Sequence, residues 1–156
     1  NLTNAMQAGA DALGSQRWHR DPGSHKLCKM FIYLSDVDEK AGPFWYIKGS
    51  QEGGPFRKLY PQRHPDGSYP PKDALENSIP KEQFLVCTGK AGTVIFCDTT
   101  GFHKGGYALE GERVMFTALY LSGDTLGIGK PRFKIGQLEK NILSKQCRAA
   151  EIALTF

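Results

Sequence analysis

The chain has 156 residues and carries 20 basic against 16 acidic side chains, a net charge of +4. That length fits one domain, 1–156, with a core large enough to need neither disulfides nor a structural metal. With 40% hydrophobic and 23% charged residues it is not a disordered tail. Its longest uncharged apolar stretch, Val114 to Gly123, is far short of the roughly 20 residues that a spanning helix needs, so no membrane association is expected. The Lys and Arg residues are scattered rather than gathered into a stripe, which argues against a nucleic-acid partner.

Eighteen Gly and nine Pro favour short strands joined by turns. Four cysteines, Cys28, Cys87, Cys97 and Cys147, show no CxxC spacing, and a reduced, cytoplasmic protein is the expectation. The opening Asn1, with no initiator Met, reads as the start of a fragment or of the ordered part of something longer.

Residues 1–14 are Ala-rich and suit a helical turn or an edge segment. Residues 27–35, LCKMFIYLS, predict a strand with two unlike faces. Cys28, Met30, Ile32 and Leu34 form a wholly apolar face, the expected core side. Lys29, Phe31 and Tyr33 form an aromatic face with one charge, suited to a cavity wall. A short strand follows around Trp45 to Ile47. Residues 49–80 are dense in Gly and Pro and read as a long variable loop over a site. GTVIFC over 92–97 is a further strand, and DTTGFHKGG reads as a turn carrying His103. ERVMFTALYL over 112–121 is the strongest strand, with Val114, Phe116, Ala118 and Tyr120 expected toward the core. Arg113, Met115 and Thr117 share its other face. From Gln137 to Leu154 a helical apolar period appears. Strands first and a helix last suit an antiparallel sandwich or barrel.

Two His-x-Asp triplets stand out, and the triplet alone is a weak signal. His64-Pro65-Asp66 is followed by Gly67, and Pro-Asp-Gly is turn chemistry with its own explanation. His19-Arg20-Asp21 sits where an extended backbone would turn His19 and Asp21 to one side. His103, 82 residues beyond Asp21, is a candidate third ligand. Two His and one carboxylate on one face of a metal leave positions open for reactants. Arg113 presents a planar fork suited to a carboxylate. His25 reads as a loop histidine, and Trp18 and Trp45 as core residues.

Together, WHRDP, KMFIYLSDVDEKAGPFWYIKGSQ, GTVIFCDTTGFHKGG and ERVMFTALYL resemble the phytanoyl-CoA dioxygenase family of Fe(II)/2-oxoglutarate-dependent oxygenases, from about Gln16 to Leu121. The resemblance implies a mainly β fold, a double-stranded β-helix (jelly roll) with a C-terminal helix, lacking part of the family's N-terminal helical region. It implies Fe(II) held by His19, Asp21 and His103, with 2-oxoglutarate as cosubstrate and O₂ as oxidant. Arg113 matches the arginine that binds the distal carboxylate of 2-oxoglutarate, with Thr117 and Phe31 beside it. Lys29 and Tyr33 are candidates for contact with substrate or cosubstrate. Gly49-Ser50-Gln51 departs from the family's Gly-Ser-His. The implied activity is hydroxylation of an unactivated C–H bond in a small organic molecule. Two other readings are a non-catalytic jelly-roll binding domain and a zinc hydrolase. The first would be expected to have lost one of these residues, and the second leaves Arg113 without a role.

Overall fold

The computed structural model describes residues 2–4, 11–21, 27–61 and 69–121. The His64 triplet, His25, Cys147 and the helix expected over 137–154 lie outside the described residues. Strands dominate: β1 (Leu2–Asn4), β2 (Leu27–Tyr33), β3 (Phe44–Ile47), β4 (Phe84–Cys87), β5 (Val94–Asp98), β6 (His103–Gly105) and β7 (Glu112–Leu121). Among the described residues one short α-helix, α1 (Ala74–Ser78), and two single 3-10 turns interrupt them. No helix among the described residues is long and apolar enough to cross a membrane.

The strands form two antiparallel sheets, one in the order β1-β7-β2-β5 and the other β4-β3-β6. Both put strands remote in sequence side by side, as a jelly-roll-like sandwich does. The long β7 ladder runs from Leu27 opposite Leu121 to Tyr33 opposite Met115. β1 pairs with the start of β7, so the first residues form an edge strand.

The inner faces of the two sheets meet in a core of Phe31, Tyr33, Val37, Ala41, Phe44 and Met115. The Tyr33 hydroxyl ties the sheets together, donating to the Cys87 carbonyl at 2.6 Å and accepting from the Phe44 amide at 3.1 Å. Tyr33→Phe removes both bonds inside a fully buried site, and a loss of about 1–3 kcal/mol in unfolding free energy is expected. Urea titration checks it; a change below about 0.3 kcal/mol contradicts this role. A second cluster, Ile47, Leu75, Ile79 and Phe102, packs at the other end with Trp18 and Phe84 against it.

Four expectations are corrected. The face of β2 expected in the core is the less buried one: Cys28, Met30 and Ile32 are half-buried and Leu34, just past the strand, is 58% exposed, while Phe31 and Tyr33 are buried. β7 follows suit, with Arg113 and Met115 inside and Phe116 and Tyr120 about half exposed. Both faces of these strands are largely apolar, so the pattern marks strands without marking the inner side. His103 opens a strand rather than lying in a turn. Part of the expected loop 49–80 is packed structure, because α1 buries Leu75 in the second cluster.

Candidate functional site

A single pair of backbone hydrogen bonds creates the centre of the site. The His19 amide donates to the His103 carbonyl at 3.0 Å, and the His103 amide donates back to His19 at 3.0 Å. This bridge adds His19 beside β6 and brings the two imidazoles to 4.2 Å between ring centres. Two residues on, the Asp21 amide donates to the Thr99 carbonyl at 2.9 Å. Extended backbone sends alternate side chains to opposite sides, so His19 and Asp21 face inward together and Arg20 faces away. Arg20 is buried over the Phe102 ring, and its guanidinium donates to the carbonyls of Ser50, Thr100, Phe56, Arg57 and Leu59. That crown fastens the triplet to the surrounding loops.

His103 is aimed by the turn before it. The Asp98 carboxylate accepts from the Thr100 amide at 2.9 Å and its hydroxyl at 2.7 Å, closing the turn. Ser50 braces the strand, accepting from the Phe102 amide at 2.7 Å and donating to the Ile47 carbonyl at 2.6 Å. The Tyr46 hydroxyl donates to Gln51 Oε1 at 3.5 Å.

Ligand atoms of His19, Asp21 and His103 all lie within 4.8 Å of one another. Nε2 of His103 is 3.5 Å from Asp21 Oδ2, and Nε2 of His19 is 3.9 Å from Asp21 Oδ1. Each Nδ1 has a backbone carbonyl beside it, Arg17 at 2.8 Å for His19 and Gly101 at 3.0 Å for His103. With the proton on Nδ1, both Nε2 lone pairs face the carboxylate. Two neutral nitrogens and one carboxylate suit a divalent transition metal.

Burial favours the neutral imidazoles. It lowers the pKa of His19 and pushes His103 down to about 4, helped at His103 by the neighbouring His19. Burial also raises Asp21, but His103, Lys29 and Thr99 together outweigh it and hold the carboxyl below its ordinary value. An unfolded imidazole takes a proton near pH 6.5 and the buried one only near 4, so the unfolded chain binds more protons between those values. Metal-free protein should therefore lose stability as pH falls from 6.5 toward 4. Thermal melts across that window check this, and a flat profile would contradict it.

Beside the triad lies a cavity of about 330 Å³, walled by Ser15, His19, Lys29, Phe31, Phe44, His103, Gly105, Arg113, Met115 and Thr117. Lys29, Phe31, Arg113 and Thr117 are thus brought to one space with the two histidines. Tyr33 is not: it lies in the core with its hydroxyl engaged, which corrects the expectation that it contacts a ligand. Arg113 is buried at the opening of β7 and donates to the Gly42 carbonyl. Gly42 has φ +75°, and a Cβ there would stand 2.7 Å from the Ala108 amide nitrogen, so only glycine fits the turn that presents this carbonyl. Ser15, Phe44 and Gly105 were not expected in the wall and come from parts of the chain far apart in sequence, whereas Met115 lies on the face of β7 that carries Arg113, as expected. The Tyr69 ring is 6.4 Å from that of His19, with the Arg17 guanidinium 4.3 Å over it.

The family model for phytanoyl-CoA dioxygenase (PhyH) matches residues 3–108, and the chain belongs to that family. Among curated proteins none matches. Among solved structures, 14 chains match. One is the non-heme alpha-ketoglutarate-dependent epimerase SnoN from nogalamycin biosynthesis, with 19% identity and a TM-score of 0.56. The match covers 86% of this chain and 56% of the SnoN chain, so this chain spans little more than half of that protein.

Proposed function

We propose that this chain is a non-haem Fe(II)- and 2-oxoglutarate-dependent dioxygenase that hydroxylates a C–H bond of a small organic substrate on a double-stranded β-helix. The observation that carries it is the cluster of His19, Asp21 and His103 beside a cavity whose wall holds both histidines and Arg113. Family membership and the likeness to SnoN support the same class. A zinc hydrolase would need the triad but not the arginine.

Bound iron would supply activation of O₂, with oxidation of 2-oxoglutarate to succinate and CO₂ furnishing the electrons. The chain's own residues bind and orient. His19, Asp21 and His103 would hold the metal, and the cavity beside the two histidines would take the reactants. Arg113 grips the distal carboxylate of 2-oxoglutarate, its guanidinium held in place by the Gly42 carbonyl, and Thr117 lies in the same wall. Phe31, Phe44 and Met115 exclude water from the carbon skeleton. The net reaction balances as R–H + O₂ + 2-oxoglutarate → R–OH + succinate + CO₂.

Anaerobic addition of Fe(II) and 2-oxoglutarate should give the weak visible charge-transfer band of their chelate, and no band would remove the assignment. For the outcome of the reaction, Asp21 is decisive. As a metal ligand its carboxylate would take the place a halide ion needs, and its charge would disfavour a second anion. Substrate turned over under ¹⁸O₂ in chloride buffer should therefore gain one labelled oxygen. An unlabelled isomer would sink hydroxylation in favour of epimerisation, and a chlorinated product would sink Asp21 as a ligand.

A further inference from the structure

Lys29 has no part in the mechanism above, yet it touches the carboxylate at its centre. Its Nζ lies 2.5 Å from Asp21 Oδ2, the oxygen that is also 3.5 Å from His103 Nε2. The ammonium thus stands at the edge of the space enclosed by the three ligand atoms. Its backbone is fixed in mid-sheet, paired with Cys97 on one side and Leu119 on the other. The four-carbon stem above that anchor can swing. Lys29 and Arg113 are the cations of the cavity wall, and no Asp or Glu lines it.

Charge balance follows from these positions. Without metal, Lys29 and Asp21 cancel. A divalent cation held by Asp21 adds two positive charges beside an ammonium, in a place where water screens poorly. A dicarboxylate restores the balance and offers the ammonium a new partner. Resting on the Fe(II)/2-oxoglutarate function, we infer that Lys29 is a positioning residue that couples metal binding to cosubstrate binding. In the metal-free site it holds the Asp21 carboxylate. With both ligands bound it turns to the carboxylate of 2-oxoglutarate nearest the metal. Metal alone then binds weakly, and each ligand tightens the other by the same factor.

Calorimetric titration with Co(II), with and without saturating 2-oxoglutarate, tests this on the wild type, Lys29→Met and Lys29→Gln. In the wild type, 2-oxoglutarate should tighten Co(II) at least tenfold. Both variants should bind Co(II) alone at least tenfold more tightly, and the enhancement by 2-oxoglutarate should fall at least tenfold. Gln retains a hydrogen-bond donor without the charge, so it must follow Met; it also decides alone if the Met variant fails to fold. Unchanged Co(II) affinity in the variants overturns the inference, as does weaker affinity, which would make Lys29 only an orienting partner of Asp21. A wild type whose Co(II) affinity ignores 2-oxoglutarate overturns it without any variant. A wild type that binds no Co(II) fails earlier, at the metal centre itself, and takes Lys29 with it.

Discussion

His103→Ala should lower Co(II) or Fe(II) affinity at least a hundredfold, about 2.7 kcal/mol or more, and abolish succinate formation. The size follows from its place. His103 is buried, its Nδ1 is beside the Gly101 carbonyl, and its Nε2 faces Asp21. Removing it leaves one imidazole and one carboxylate to hold the metal. Loss of outer hydrogen-bond partners alone typically costs a metal site 10- to 100-fold, and loss of a ligand costs more. The scaffold should persist, because the bridge between residues 19 and 103 is made by main-chain atoms that alanine retains. His64→Ala is the companion measurement, since His64-Pro65-Asp66 reads as turn punctuation. Its metal affinity should stay at the wild-type value. Wild-type Co(II) binding by His103→Ala would remove His103 from the site.

How much could be read from the chain differed from element to element. The bounds of β7 are those expected, because ten residues rich in apolar and β-branched side chains run without a breaker after Gly111. Which face of that strand is inner could not be read. Val114, Phe116 and Ala118 are no less apolar than Met115 on the other face, and the choice depends on where the second sheet lies. Helix α1 escaped notice because five residues are too few to show a period, and it is held by the burial of Leu75 rather than by propensity. The metal-ligand candidates were legible as residue types in a known order. Their convergence was not, because it depends on the bridge between His19 and β6. Arg20 shows the limit most clearly. Alternation places it opposite His19 and Asp21, but the five carbonyls it gathers come from residues 30 to 80 positions away. No local pattern announces such a partner set.

Arg113→Ala should weaken 2-oxoglutarate binding by about 2–4 kcal/mol, roughly 30- to 1000-fold, while leaving Co(II) affinity in the absence of cosubstrate near wild type. The guanidinium is buried in the cavity wall, donates to the Gly42 carbonyl, and has a planar fork that suits a carboxylate entering the cavity. Alanine would take away that charge-assisted pair and leave the carboxylate desolvated against Met115 and Phe44. Arg113→Lys separates charge from geometry. Lysine keeps a cation on the same strand but has one point charge where arginine has a planar fork, so an intermediate loss is expected. Arg113 opens β7 beside Gly42, away from the bridge that pairs His19 with His103, so the triad should not feel the change. That separation is what the titration reads. If metal and cosubstrate affinities fall together, Arg113 supports the fold rather than the ligand. If neither changes, it has no part in the site, and the distal carboxylate must be bound elsewhere.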